Sequence, residues 1–219
     1  MRVAIAGGHG KIARILGRML SNRGDVVLGL IRNPDHAADL VVDGVQPVVI
    51  DLEHSTPDEL AARLAEVDAA VFAAGAGPGS GVARKTTVDR GASVLLADAC
   101  ELASVRRVLQ VSAMGTDRPS DPDEVGEVFA AYLDAKRAAE EDLRARDLDW
   151  TILRPGRLTD DAPTGRIVVA PSVPRDDITR ADVAHVLLAL LDMPESARHT
   201  LEVVNGPVPI DEALREILS

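Results

Sequence analysis

Cysteine is nearly absent: Cys100 is the only one in 219 residues. That excludes an intrachain disulfide framework and a thiolate metal site, and leaves Cys100 as filler on a buried helix face. The histidines, at 9, 36, 54, 185 and 199, show none of the close ligand spacings of a zinc site, so no metal is expected. Aromatics are only 2% of the chain, namely Phe72, Phe129, Tyr132 and Trp150, whereas hydrophobic residues overall are 46%. The core must therefore rest on Val, Leu, Ile and Ala, as in a parallel sheet covered by helices. Long apolar runs are missing too. The run Met1-Arg2-Val3-Ala4-Ile5-Ala6 reaches glycine far too soon for a secretory signal or a membrane span, and a cytoplasmic location is expected. Three lysines and the more numerous arginines are scattered, and the net charge is −11. This balance argues against nucleic acid or an anionic membrane as partner and for a small-molecule substrate; the acidity itself reads as solubility.

What is present is an alternation of short apolar runs with longer stretches of helical period, the pattern of βαβ units. Strands are expected at 2–6, 25–31, 46–50, 69–74, 107–112 and 149–153. Helices are expected at about 11–22, 57–66, 84–103 and 126–146, with a weaker one near 35–42. Six strands with helices between them give an α/β fold of the doubly wound, Rossmann type. No linker divides the chain, so residues 1–219 are expected to form one domain. After Arg154-Pro155-Gly156 the alternation breaks down. A Pro-rich segment, a helix from about Arg180 capped by Thr179 and Asp182, a strand near 200–204 and a helix from 211 would build a small substrate-facing lobe over about 156–219.

Gly7-Gly8-His9-Gly10-Lys11-Ile12-Ala13 follows the first strand and opens a helix, which is the context that gives a glycine motif meaning. Gly7 permits a tight exit from the strand, Gly10 lets backbone amides approach a pyrophosphate, and Ala13 allows close helix packing. The helix N-terminus adds partial positive charge toward the phosphates. The second strand ends Leu30-Ile31-Arg32-Asn33, with no acidic residue where a ribose 2′-hydroxyl would be read, so Arg32 favours NADP over NAD. Asp51, with Leu52, follows the third strand and would accept from the adenine amino group. Ala74 and Gly75, after the fourth, would let the cofactor lie against backbone.

Tyr132 is the only tyrosine, and Lys136 lies four residues on, which puts both on one helix face. An adjacent ammonium stabilises phenolate and would bring the tyrosine down from its usual value of about 10 toward the working pH. Such a tyrosine passes a proton to a carbonyl as hydride arrives. Val108-Leu109-Gln110-Val111-Ser112 ends in a hydroxyl at the carboxyl edge of the sheet, where Ser112 would hydrogen-bond the substrate oxygen. Met114, Phe129 and the segment 157–178 are the nominated pocket wall.

These residues resemble the atypical branch of the short-chain dehydrogenase/reductase family, the NAD(P)H-binding proteins that are also similar to biliverdin reductase B, to NmrA-like regulators and to the epimerase/dehydratase superfamily. The carriers are the glycine turn, Leu30-Ile31-Arg32-Asn33, Val111-Ser112-Ala113-Met114-Gly115, Tyr132-Leu133-Asp134-Ala135-Lys136, Trp150-Thr151-Ile152-Leu153-Arg154-Pro155-Gly156 and Ile178-Thr179-Arg180-Ala181-Asp182-Val183-Ala184. The resemblance implies NADP at the first turn and Ser112, Tyr132 and Lys136 as catalytic serine, tyrosine and lysine. The expected cofactor-binding set is Gly7, Gly8, His9, Gly10, Lys11 and Ile12, then Arg32, Asp51, Leu52, Ala74 and Gly75, with Lys136 and Pro155. The interval from Ser112 to Tyr132 is longer than in standard reductases and holds an Asp- and Pro-rich loop, Thr116 to Asp123. Three readings stand: an NADP-dependent oxidoreductase acting on a small carbonyl or alcohol, a quinone or a flavin-like compound; a nucleoside-diphosphate-sugar epimerase or dehydratase holding NAD; and a non-catalytic NADP-binding redox sensor.

Overall fold

The computed structural model describes residues 1–75, 77 and 81–219. Among them, nine strands form one mostly parallel sheet flanked by helices. The central strands are β1 (Arg2–Ala6), β2 (Val26–Ile31), β3 (Gln46–Val49), β4 (Ala69–Phe72), β5 (Arg107–Val111) and β6 (Asp149–Pro155). They stand in the order β6-β5-β4-β1-β2-β3, all parallel. The fold is a Rossmann-like α/β sheet. Its helices are α1 (Lys11–Arg23), α2 (Ala37–Val42), α3 (Pro57–Ala61), α4 (Val82–Arg84), α5 (Ala92–Leu102), α6 (Pro122–Val125), α7 (Glu127–Arg144), α8 (Arg180–Leu191) and α9 (Ile210–Leu218).

Apolar residues cover both faces of the sheet, and the strand period of two sorts them. Val3 and Ile5 of β1 face a core that includes Leu16, Leu20, Val183, Leu187 and Leu214 from α1, α8 and α9. Ala4 and Ala6, on the other face, join Leu60, Leu96, Cys100, Leu143 and Trp150. The helix α1 presents Ile12, Ala13, Leu16, Gly17 and Leu20 to the sheet at helical spacing. It stops at Gly24, whose left-handed φ of 94° lets its N–H reach back to the Leu20 and Ser21 carbonyls.

Cys100 is fully buried on α5, and burial pushes its thiol up to about 12. A thiol reagent at neutral pH is therefore expected to leave the folded protein unlabelled and to react in step with unfolding in urea. Labelling under native conditions at the rate of a free thiol would contradict this packing.

Three expectations need correction. The helix over 84–103 is three pieces: α4, a π-helical turn at Lys85–Gly91, and α5. Thr86 and Thr87 are β-branched and Gly91 is a poor helix former, so regular α winding is weakly supported there. The helix over 57–66 is confined to α3, whose Thr56 and Glu59 form a capping box, and the chain turns away before Glu66 at φ 62°. After Gly156 the chain holds more strands than the one expected near 200–204, and most of them continue the sheet. Strands β8 (Arg166–Ala170), β10 (His199–Asn205) and β11 (Val208–Pro209) extend it past β6, and β7 (Arg157–Thr159) pairs with β9 (Asp177–Thr179) beside it. Pro163, Pro171 and Pro174 punctuate this stretch, so its short strands read as loop. The expected cap at Thr179 is present, its hydroxyl accepting from Asp182 N at 2.9 Å. Among the described residues no helix is long and apolar enough to cross a membrane.

Candidate active site

The glycine turn is shaped by backbone contact. Gly7 sits at φ 78°, and a Cβ there would lie 2.6 Å from Ala74 Cα, so only glycine fits between β1 and the chain leaving β4. Gly8 N donates to Leu30 O at 3.0 Å, and Gly10 N closes the turn onto Gly7 O at 2.8 Å. Gly10 caps α1 without a side-chain acceptor, and the first turn of α1 holds no acidic residue. The first amides of α1 are thus left for an anion, at the positive end of a 13-residue helix.

In front of this turn opens a cleft of about 380 Å³. Gly7, His9 and Gly10 line it from the turn, Arg32 from the end of β2, Asp51 and Leu52 from beyond β3, and Ala74 and Gly75 from beyond β4. These residues present a backbone cradle, an uncapped helix end and a basic side chain at the carboxyl edge of a parallel sheet, which fits a dinucleotide. The other expected contacts stand apart from the cleft. Gly8 is buried behind the turn, where a Cβ would lie 2.8 Å from Gly29 Cα. Ile12 belongs to the core. Lys11 is exposed and pairs with Asp160 at 2.5 Å, which also takes Arg180 at 2.8 Å. Pro155 ends β6, its carbonyl accepting from Met114 N at 3.4 Å.

Several lining residues had no sequence signal. His36 stacks on His9 with ring centroids 3.7 Å apart, and His9 Nε2 lies 2.7 Å from Asp39. Glu53 reaches Arg32 at 2.6 Å and Arg84 at 2.9 Å. Two residues past Asp51, Glu53 reads as a solvated acid after a strand. Only the fold brings it to the residue that ends β2.

The three candidate catalytic residues, including Lys136, which was also an expected cofactor contact, do not line the cleft; they stand beyond its Ala74 wall, which Lys136 touches. Ser112 follows β5, its N–H donating to Leu153 O at 2.7 Å; it is 3% exposed, and its hydroxyl has no partner among the described residues. Lys136, buried on α7, donates to Val111 O at 3.0 Å and Ala74 O at 3.5 Å, and lies 3.5 Å from Asp89. Burial draws its ammonium down from the usual lysine value, and the Asp89 carboxylate opposes that. Tyr132, one helical turn earlier, has Lys136 Nζ 6.0 Å from its ring centre and Lys85 Nζ at 5.4 Å on the π-helical side. Phe129 stacks on its ring at 5.7 Å and is largely exposed, while Met114 packs with Val173 and Val204.

The expected lowering of the Tyr132 phenol is overturned. Burial raises it above its ordinary value, and the nearby Asp89 carboxylate raises it further. Desolvation penalises a phenolate more than two ammonium groups at ring distance relieve it, and Asp89 cancels part of their charge. Tyr132 is held as a neutral phenol.

Beneath Tyr132 and Lys136 on the same face of α7 lies Glu140, fully buried. It takes Arg154 of β6 through two hydrogen bonds, 3.0 and 2.7 Å, with Thr116 Oγ1 at 3.0 Å and Arg144 at 2.9 Å. Arg154 also donates to Asp117 at 2.5 Å. One charge cluster thus ties α7, β6 and the loop after Ser112 together.

Comparisons with known proteins bear on the family and the fold. The chain is 30% identical over 218 residues to the uncharacterized sugar epimerase YhfK of Bacillus subtilis, covering 99% of this chain and 100% of that one. A Bacillus halodurans structure assigned as an NAD-dependent epimerase/dehydratase is 35% identical with a TM-score of 0.90, over 99% of both chains. The oxidoreductase ylbE of Lactococcus lactis is 28% identical with a TM-score of 0.86, over 100% of this chain and 97% of that one. A family model described as NAD(P)H-binding matches residues 7–194, from the glycine turn to just past α8. With its glycine cradle, its cleft at the sheet edge and this match across most of its length, the chain belongs to the NAD(P)H-binding family.

Proposed function

We propose that the protein is an NADPH-dependent reductase of a small carbonyl, quinone or flavin-like acceptor. The observation that carries this reading is Lys136, which lies by the Tyr132 ring and donates both to Val111 O, next to the unpartnered Ser112 hydroxyl, and to Ala74 O at the wall of the cleft. The reduced nicotinamide, when bound, supplies the hydride. Ser112 donates its O–H to the acceptor oxygen, and Tyr132 delivers its proton there as negative charge develops. Lys136, fixed by two carbonyls and Asp89, stabilises the phenolate that remains, which regains its proton from water. Tyr132 carries the proton this step needs, but its raised value makes it a weak acid, so proton delivery depends on the Lys136 ammonium as the phenolate forms.

The sugar-epimerase description of the Bacillus subtilis relative supports a second reading, an epimerase with resident NAD. That chemistry needs Tyr132 to take a proton from a sugar hydroxyl as well as give one back, and a nucleotide that stays bound through the cycle. The discriminating experiment follows NADPH oxidation with carbonyl, quinone and flavin acceptors, alongside analysis of nucleotide carried through purification. NADPH consumption with one acceptor class is expected. Tightly bound NAD with sugar-nucleotide turnover lacking added cofactor would establish the epimerase, and nucleotide binding without hydride transfer to any acceptor would establish a sensor.

The preference for NADPH is assigned to Arg32. Arg32→Ala is expected to weaken NADPH by roughly 10- to 100-fold, the scale of a lost charged hydrogen bond, and to leave NADH little changed. Equal affinities for the two nucleotides in both proteins would remove Arg32 from that role.

A further inference from the structure

The nucleotide cleft contains an anion of its own. Glu53 projects into it with a side chain 15% exposed, and its carboxylate takes Arg32 Nη1 at 2.6 Å, Arg84 Nη2 at 2.9 Å and Thr87 Oγ1 at 2.7 Å. The three donors come from the end of β2, from α4 and from the π-helical turn, and both arginines line the cleft. The Thr87 hydroxyl, and then Arg84 and Arg32, hold the Glu53 carboxyl below its usual range against the effect of burial. Asp51, on the adenine side, has its oxygens turned to Glu53 N at 2.9 Å and to His54 Nδ1 at 3.0 Å, and acts on Arg32 only through space.

Two guanidinium groups meet one carboxylate here and Asp51 also acts on Arg32 through space, so the pull on an anion comes from the guanidinium donors themselves and not from a surplus of positive charge. Guanidinium forks bind phosphate oxygens as they bind carboxylate oxygens, and a phosphomonoester brings a third oxygen and up to twice the charge. The end of β2 is where the 2′-position of the adenosine ribose is read in this fold.

We propose that Arg32 and Arg84 together form the seat of a ribose 2′-phosphate, that Arg84 is a second specificity residue for the nucleotide, and that Glu53 fills this seat as an internal competitor. This rests on the reading of the cleft as an NADPH site. Both guanidinium groups turn from the carboxylate to the phosphate when NADPH binds, drawing α4 onto the adenosine. NADH has no group that displaces Glu53, so it meets the cleft with both ion pairs in place.

The test is competition of the reduced nucleotides with adenosine 2′,5′-bisphosphate and adenosine 5′-monophosphate, in wild type, Arg84→Ala, Glu53→Gln and Arg32→Ala, with Trp150 fluorescence reporting the fold. Arg84 is substantially exposed, so its loss leaves the core untouched. Arg84→Ala is expected to weaken NADPH and the bisphosphate by roughly 10- to 100-fold while NADH and the monophosphate stay as they were. Glu53→Gln is expected to strengthen NADPH by roughly fivefold or more, as a like charge leaves the seat. The inference is overturned if Arg84→Ala affects phosphorylated and unphosphorylated ligands alike, or neither. It is also overturned if Glu53→Gln weakens NADH and leaves NADPH alone, which would make Glu53 an acceptor for the ribose hydroxyl. Failure of the NADPH reading looks different: wild type would then bind NADH at least as well as NADPH, and Arg32→Ala would change nothing.

Discussion

Tyr132→Phe is expected to keep nucleotide binding and to lose roughly 10²- to 10⁴-fold of turnover, the range for removing a positioned general acid. The substitution deletes one oxygen and keeps the ring that stacks on Phe129 and lies near Lys85 and Lys136. Packing on that face of α7 is therefore preserved, and the loss falls on proton delivery. The effect should appear in kcat more than in KM, because the phenol proton is transferred in the transition state. Since Tyr132 is the only tyrosine, its ionisation can be followed directly by absorbance, and it should lie above that of free tyrosine. Turnover of the phenylalanine variant equal to wild type would assign proton delivery to another group or to water.

The second large effect is on stability. Glu140→Ala is expected to cost about 3–5 kcal/mol, because it leaves the buried Arg154 guanidinium without the carboxylate that takes two of its hydrogen bonds. It also removes one of two partners each from Thr116 and Arg144, and with the Thr116 bond one of the ties between the loop after Ser112 and α7. Total stabilities of domains are about 5–15 kcal/mol, so the urea midpoint should fall steeply. Glu140→Gln, which keeps the shape and one acceptor oxygen, should fall less. A midpoint for Glu140→Ala within about 0.5 kcal/mol of wild type would mean that water or Asp117 satisfies Arg154 in its place.

The parts of the site visible in the sequence are those where backbone geometry fixes the residue type. Gly7 has to be glycine because Ala74 leaves no room for a Cβ, and Ser112 stands where a strand ends at the carboxyl edge of the sheet. The four-residue spacing of Tyr132 and Lys136 likewise places them on one face of α7. Charge at the site was not legible in the same way. Asp89 and Lys85 sit on the π-helical turn and meet Tyr132 only because that turn packs on α7; burial first, and then the Asp89 carboxylate, reverse the expected direction of the tyrosine shift. Glu53 follows a strand, as many solvated acids do, and its place beside Arg32 depends on β3 lying next to β2. Of the strands beyond Gly156, β10 was legible near 200–204, but β7, β8, β9 and β11 were hidden for another reason. Prolines punctuate them, and β8 buries Ile167 alone among its residues, too little alternation to mark a strand.

The most direct measurement is titration of the purified protein with NADPH and with NADH, followed by the fluorescence of the reduced nicotinamide. Saturable binding, tighter for NADPH, is the predicted result and would place the nucleotide in the cleft formed by Gly7, Arg32 and Ala74. Absence of binding by either nucleotide would contradict the account at its root, leaving the glycine turn as a structural feature of the first strand and helix.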